Sequence, residues 1–245
     1  MPNYFMTRLY LLIPLFVFSC SSPTDGGQNE QISQSSDTSI SFTGHWVTEK
    51  YLQSLERTKS PKSSQEDASF IFIPPTIHGL AYPYVYHEGG AQFRIRKYGD
   101  KYFIKLTEEY NQSDSAEIKI LDNGTRLELW NEKYIKLEDR NTIAEKTIFA
   151  GTYVLGDKEV TISASGNISG LDSVSRISVE NDYIGPGMDL DLIYLQIGNR
   201  GNVNHTFNFS EDTLHIYSVY CNETDENGGC LDTKRGELLW TLVKK

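Results

Sequence analysis

The chain is poor in the features that cross membranes, bind nucleic acid or carry catalysis. Its conspicuous apolar run, Leu9 to Phe18, is too short to span a bilayer, for which a helix needs about 20 apolar residues. Basic residues are in deficit: 23 Lys and Arg against 33 Asp and Glu leave a net charge of -10. Such a surface repels phosphate backbones, which excludes nucleic acid as a partner on electrostatic grounds. Methionine is scarce at 3, while Tyr at 15 and Phe at 11 are plentiful, a balance that favours strands over helices. His45, His78, His205 and His215 stand apart without metal-ligand spacing, and no Ser, His and Asp set occupies a nucleophile context. His87 and Glu88 are adjacent, and on a strand neighbours point to opposite faces and cannot share a proton. With no phosphate loop and no zinc signature, the expectation is no enzyme, no metal and no cofactor.

What the chain has begins at its N-terminus. Arg8 precedes the apolar run and the small Ser19, the layout of a secretory signal. The sequence Val17-Phe18-Ser19-Cys20 resembles the lipobox of bacterial lipoproteins. That resemblance implies a signal peptide over residues 1–19, cleavage before Cys20 and acylation of Cys20 by palmitate-type chains. Each buried methylene adds about 0.8 kcal/mol, so several chains anchor a soluble domain. The alternative is an ordinary cleaved signal that ends near a Cys by chance. From Ser21 to Ser41 the residues are Ser, Gly, Gln, Asp and Thr with hardly an apolar side chain, a composition that does not offset its ordering entropy. Residues 20–41 therefore read as a flexible tether. Ser21 in place of Asp after the Cys resembles the outer-membrane sorting state, and the face of that membrane stays open.

Removing Arg8 with the signal moves the net charge from -10 to -11, and that charge is uneven. Residues 41–146 hold 15 basic and 16 acidic side chains, and residues 147–245 hold 7 and 14. The same boundary separates two similar segments, Phe42-Thr43-Gly44-His45-Trp46 and Phe149-Ala150-Gly151-Thr152-Tyr153. Two modules, 42–146 and 147–245, or one continuous sheet both fit. The polar stretch Arg140 to Lys146 reads as a linker.

Alternation predicts strands throughout. Phe93, Ile95 and Tyr98 oppose Arg94, Arg96 and Lys97; Tyr102, Ile104 and Leu106 oppose Lys101 and Lys105. Asp122-Asn123-Gly124 predicts a hairpin turn, since Asn-Gly supplies the positive φ angles that such turns need. Further strands are expected near 69–73, 82–86, 127–130, 134–137, 160–163, 175–179, 190–197, 206–209, 214–220 and 238–242. One helix is expected where Val47, Tyr51 and Leu55 repeat at four-residue spacing, ending before Ser60-Pro61. The fold class is thus all-β, an antiparallel sandwich or barrel.

Phe42-Thr43-Gly44-His45-Trp46 followed by an early helix resembles the opening of the lipocalin and fatty-acid-binding barrels, the calycin group. That resemblance implies a calycin-like barrel with Gly44 at a close backbone approach and Trp46 plugging its closed end. The tether with Gly-x-Trp, Tyr-x-x-x-Leu and Ser-Pro segments is also similar to uncharacterised lipoproteins of the Bacteroidota. A barrel of about eight strands packs solid or holds one small apolar ligand, and aromatic residues at alternating positions serve either end.

Cys221 and Cys230 are the cysteines that remain beside Cys20. In an envelope compartment an isolated pair predicts a disulfide. A reactive thiol pair is the alternative, opposed by Glu223, Asp225, Glu226 and Asp232, which suppress a thiolate. The acidic loop between the cysteines, and Asp182, Asp189 and Asp191 around Gly185-Pro186-Gly187, offer oxygen ligands that calcium favours, without EF-hand spacing. Asp114-Ser115, Asp172-Ser173 and Asp212-Thr213 resemble short O-glycosylation acceptors. The functional expectation is an outer-membrane lipoprotein, held to the bilayer through Cys20, that binds a small apolar ligand or an envelope protein. Its contrast is a structural or assembly lipoprotein with a solid core and no ligand.

Overall fold

Alternating side chains on short strands generate two antiparallel sheets. The computed structural model describes residues 39–77, 80–84, 92–106, 115–181 and 189–245. The first sheet holds β1 (Gly44–Thr48), β2 (Phe70–Ile73), β3 (Leu80–Tyr84), β4 (Phe93–Tyr98), β5 (Lys101–Leu106), β6 (Ser115–Leu121), β7 (Arg126–Leu129) and β8 (Glu132–Leu137). Strand β1 pairs with both β2 and β8, so this sheet closes into a barrel with no free edge. The second contains β9 (Gly151–Leu155), β10 (Lys158–Ile162), β11 (Ile168–Ser169), β12 (Val174–Val179), β13 (Leu192–Ile197), β14 (Asn202–Ser210), β15 (Thr213–Thr224) and β16 (Cys230–Lys244). Its order is β11-β10-β9-β16-β15-β14-β13-β12. It nearly closes, with β11 and β12 linked by the Asn167 and Arg176 bridge and by the Ile177 N–H donating to the Gly166 carbonyl at 2.8 Å.

The expected hairpin forms, with Asp122, Asn123 and Gly124 all at positive φ between β6 and β7. Among the described residues of β4, alternation fails at Tyr98. Tyr98, expected on the core side, is 66% exposed and packs edge-on to Phe103. Strict period-two geometry puts Lys97 on the face of Phe93 and Ile95, where its ammonium lies 5.4 Å from the Tyr102 ring centroid. Trp130 leaves its expected strand for the turn between β7 and β8. There Trp130 and Asn131 both have positive φ, and the Trp ring rests 5.3 Å from that of Phe93.

A short helix follows the first strand, as expected. Val47 belongs to β1, and the helix α1 (Glu49–Thr58) buries Tyr51 and Leu55. It stops at Lys59 in the left-handed region, whose N–H donates to the Leu55 carbonyl. Ser60 then caps the brief α2 (Pro61–Ser64), its hydroxyl accepting from the Ser63 N–H. The polar stretch 140–146 does not form an extended linker: it enters α3 (Ile143–Ile148), which buries Ala144, Glu145 and Ile148.

Tyr51 and Leu55 of α1 and Ile148 of α3 share one apolar cluster with Tyr153, Ile177, Phe207 and Leu242 of the second sheet. The residues around the first barrel and the second sheet thus join through these helices, within one compact unit spanning Asp37–Lys245. Inside the first barrel Trp46, Ile71, Ile73, Ile95 and Leu127 are each 0% exposed. A side chain lining an open cavity would keep accessible surface, so these side chains pack against one another. Ile40, at the end of the stretch read as tether, is 3% exposed and its N–H donates to the Pro75 carbonyl.

The two similar sequence segments occupy the same place in their sheets. Trp46 Nε1 donates to the carbonyl of Phe42 at 3.2 Å, and the Tyr153 hydroxyl donates to the carbonyl of Phe149 at 2.7 Å. Trp46 lies opposite Lys136 on the closing strand β8, and Tyr153 opposite Lys244 on β16. The Lys136 ammonium sits 5.7 Å from the Trp46 ring centroid. A Cβ built on Gly44 would meet the Lys136 side chain at 3.4 Å, and one on Gly151 would meet that of Lys244 at 2.9 Å. Gly44 also has φ +122, so glycine is required there for its backbone angle as well as for its size.

Candidate interaction surface on the stapled ribbon

Strands β15 and β16 outrun their neighbours. Pairing of β14 with β15 stops at His205 opposite Ser218, and pairing of β9 with β16 covers only Val243 and Lys244. From Val219 to Arg235 the two strands pair with each other alone, Val219 with Arg235, Tyr220 with Lys234 and Thr224 with Cys230. A two-stranded ribbon is at best marginally stable in water. Here it is stapled. The sulfurs of Cys221 and Cys230 lie 2.17 Å apart with Cα atoms 5.7 Å apart, within the range that a disulfide spans.

The turn at the tip is held by Asp225, whose Oδ1 accepts from the N–H groups of Asn227 and Gly229 at 2.9 and 2.7 Å. That carboxylate, one of the sequence's calcium candidates, is occupied by its own turn. Asp232 pairs with Lys234 at 3.0 Å and accepts from Asn222 at 2.9 Å; both contacts lower its pKa, and the pairing with Asp232 raises that of Lys234. The Arg235 guanidinium lies 4.7 Å from the Tyr217 ring centroid.

The ribbon and the free stretch of β16 carry four large exposed apolar side chains, Tyr220 at 53%, Leu231 at 54%, Leu238 at 50% and Leu239 at 40%. Leu238 and Leu239 are neighbours on one strand and face opposite ways, so the exposed apolar side chains are distributed over both faces of the ribbon and its base. The ladder between β15 and β16 is also irregular. Its register shifts around Tyr217 and Val219, and Ser218 Oγ accepts from the Glu237 N–H at 2.9 Å. Irregularities of this sort discourage another strand from adding edge-on. The surface is thus suited to side-chain contact rather than strand addition.

Of the other sequence-predicted residues that the structure describes, Asp189 contacts this ribbon, through Lys234. Gly44 and Trp46 lie in the first barrel, Trp46 fully buried. His45 is stacked on Phe72, with its pKa lowered chiefly by burial. His205 is buried with Nδ1 2.9 Å from the Val203 carbonyl, and burial likewise lowers its pKa. Asp191, just before β13, ties the start of α2 to the second sheet, accepting from Ser60 Oγ at 2.9 Å and from the Lys62 N–H at 3.0 Å. Asp189 pairs with Lys234 at 3.8 Å. Cys20, His78, His87, Glu88, Asp114, Asp182 and Gly185-Pro186-Gly187 lie outside the described residues. Among the described residues no three His, Cys, Asp or Glu side chains gather as a metal site.

The overhang had only a partial signal in the sequence. The cysteine spacing marks a hairpin tip, whereas the point at which the flanking strands stop depends on pairing between residues far apart in sequence. Comparison with protein-family models, with curated proteins and with solved structures found no match for this chain.

Proposed function

We propose that the chain is an outer-membrane lipoprotein, tethered through acylated Cys20, that acts without catalysis by binding a protein partner of the envelope through its stapled ribbon. The observation that carries this reading is the exposure of Tyr220, Leu231, Leu238 and Leu239 on strands that outrun the sheet. Burial of the first barrel's interior side chains supports a surface function over carriage of a small apolar ligand. The lipobox-like Val17-Phe18-Ser19-Cys20 and the polar stretch behind it support the tether. A disulfide-distance pair suits an oxidising compartment.

Two experiments bear on the two parts separately. Labelled fatty acid is expected to enter the wild type and not Cys20→Ser, which should leave the membrane fraction; unchanged labelling would contradict the tether. Extracted in mild detergent, the wild type should migrate as a complex larger than the chain, and Leu231→Asp should migrate alone. A wild type that migrates alone, or that carries co-purified lipid by native mass spectrometry, would contradict the partner reading.

A further inference from the structure

Glu145 is a buried acid that the docking surface does not use. It sits on α3, between the two sheets in the chain, and is 4% exposed. Its Oε1 accepts from the Val179 N–H at the end of β12 at 2.8 Å, while Oε2 is buried with no hydrogen-bond partner. A Cβ on Gly166 would come within 3.2 Å of its Cγ, so the carboxyl is enclosed on that side too. An ionised carboxylate with one bare oxygen in such a place costs far more than a neutral carboxyl.

The surroundings do not cancel that cost. Burial is the largest influence and raises the pKa; the N–H groups of Val179 and of Glu145 itself and then Arg176 on β12 favour the ionised form, and Asp139, before α3, opposes it. From α1, Lys59 reaches α3 but donates to the Thr147 carbonyl at 3.5 Å. We propose that Glu145 is a proton-operated latch between α3 and β12, closed when Oε2 carries a proton and loosened when the carboxyl is ionised. The neutral carboxyl still accepts from Val179, whereas ionisation adds a charge that water solvates only when the latch opens.

Folded-state affinity for the proton exceeds that of the opened state. Stability of the latch is therefore full below the ordinary Glu range and is lost as pH rises through the folded pKa. Hydrogen exchange at the Val179 amide, measured on the full-length protein and corrected for intrinsic pH dependence, reads the opening directly. In the wild type the opening constant should rise up to about tenfold per pH unit above about 4.3, then level off. Glu145→Gln keeps the acceptor for Val179 without the titration, and its opening should not vary with pH over that span. A flat wild-type profile, or an equal slope in Glu145→Gln, would overturn the latch. Should that variant not fold, carbon-13 titration of the Glu145 carboxyl in the wild type decides: a midpoint above the ordinary Glu value supports it and an ordinary midpoint overturns it.

Discussion

The two sheets enter alike and leave differently. Each starts with a Phe whose carbonyl accepts from an aromatic side chain four residues on, and each sets a lysine of its closing strand opposite that aromatic. In the first, β8 ends at Leu137, paired with β1. In the second, β15 and β16 run past their partners and expose apolar side chains. The first half is also nearly balanced in charge, with 15 basic and 16 acidic residues, whereas the second holds 7 and 14. A shared corner thus fixes where each sheet begins, and the length of the last hairpin decides whether the sheet ends sealed or offers a surface.

The comparison is broken most severely at the corner. Trp46→Ala removes a fully buried indole and should cost roughly 3 to 5 kcal/mol, read as a fall in the denaturant midpoint with unchanged slope. Tyr153→Phe leaves the ring and deletes only the bond to Phe149, so about 1 to 3 kcal/mol is expected. Equal losses would mean that the two corners do not work as described.

Next in size is the staple. The Cys221→Ser, Cys230→Ser double variant should lose about 2 to 4 kcal/mol from constraint of a short loop, with faster hydrogen exchange confined to residues 219–235. Exchange that quickens equally in β1 and β8 would show that the ribbon is not a separate element.

Rising pH should act on the joint between α2 and the second sheet. Burial raises the pKa of Asp191 despite its bonds from Lys62 and Ser60, so its ionisation weakens the fold as pH climbs from the ordinary Asp range through the raised value. Asp191→Asn, compared with the wild type in melts from pH 4 to 8, should flatten the decline in stability with rising pH. A pH dependence identical to that of the wild type would remove Asp191 from this role. Smallest is Lys136→Met, where loss of the cation beside Trp46 should cost about 0.5 to 1 kcal/mol.

Much of the fold was legible because its signals are local. Asp122-Asn123-Gly124 specifies its own turn, Phe93 and Ile95 alternate with arginines, and Cys221 and Cys230 lie at disulfide distance on adjacent strands, although Cys221 sits inside β15 opposite Thr233 rather than at a strand end facing Cys230. What was hidden depends on distant partners. Ala144 and Ile148 of α3 are too few to show a helical period, and their burial comes from both sheets. Tyr98 looked like core because aromatics usually are, yet strand geometry turns it outward. The Glu145 carboxyl reads as one more polar residue until β12 folds against it.

The docking claim is tested most directly by a photo-crosslinking amino acid placed at Leu231 in the living cell, with Tyr98 of the first barrel, which is more exposed, as the control. The account predicts one discrete protein adduct in the membrane fraction from position 231 and none from position 98. No adduct at 231, or the same adduct from both positions, would contradict it.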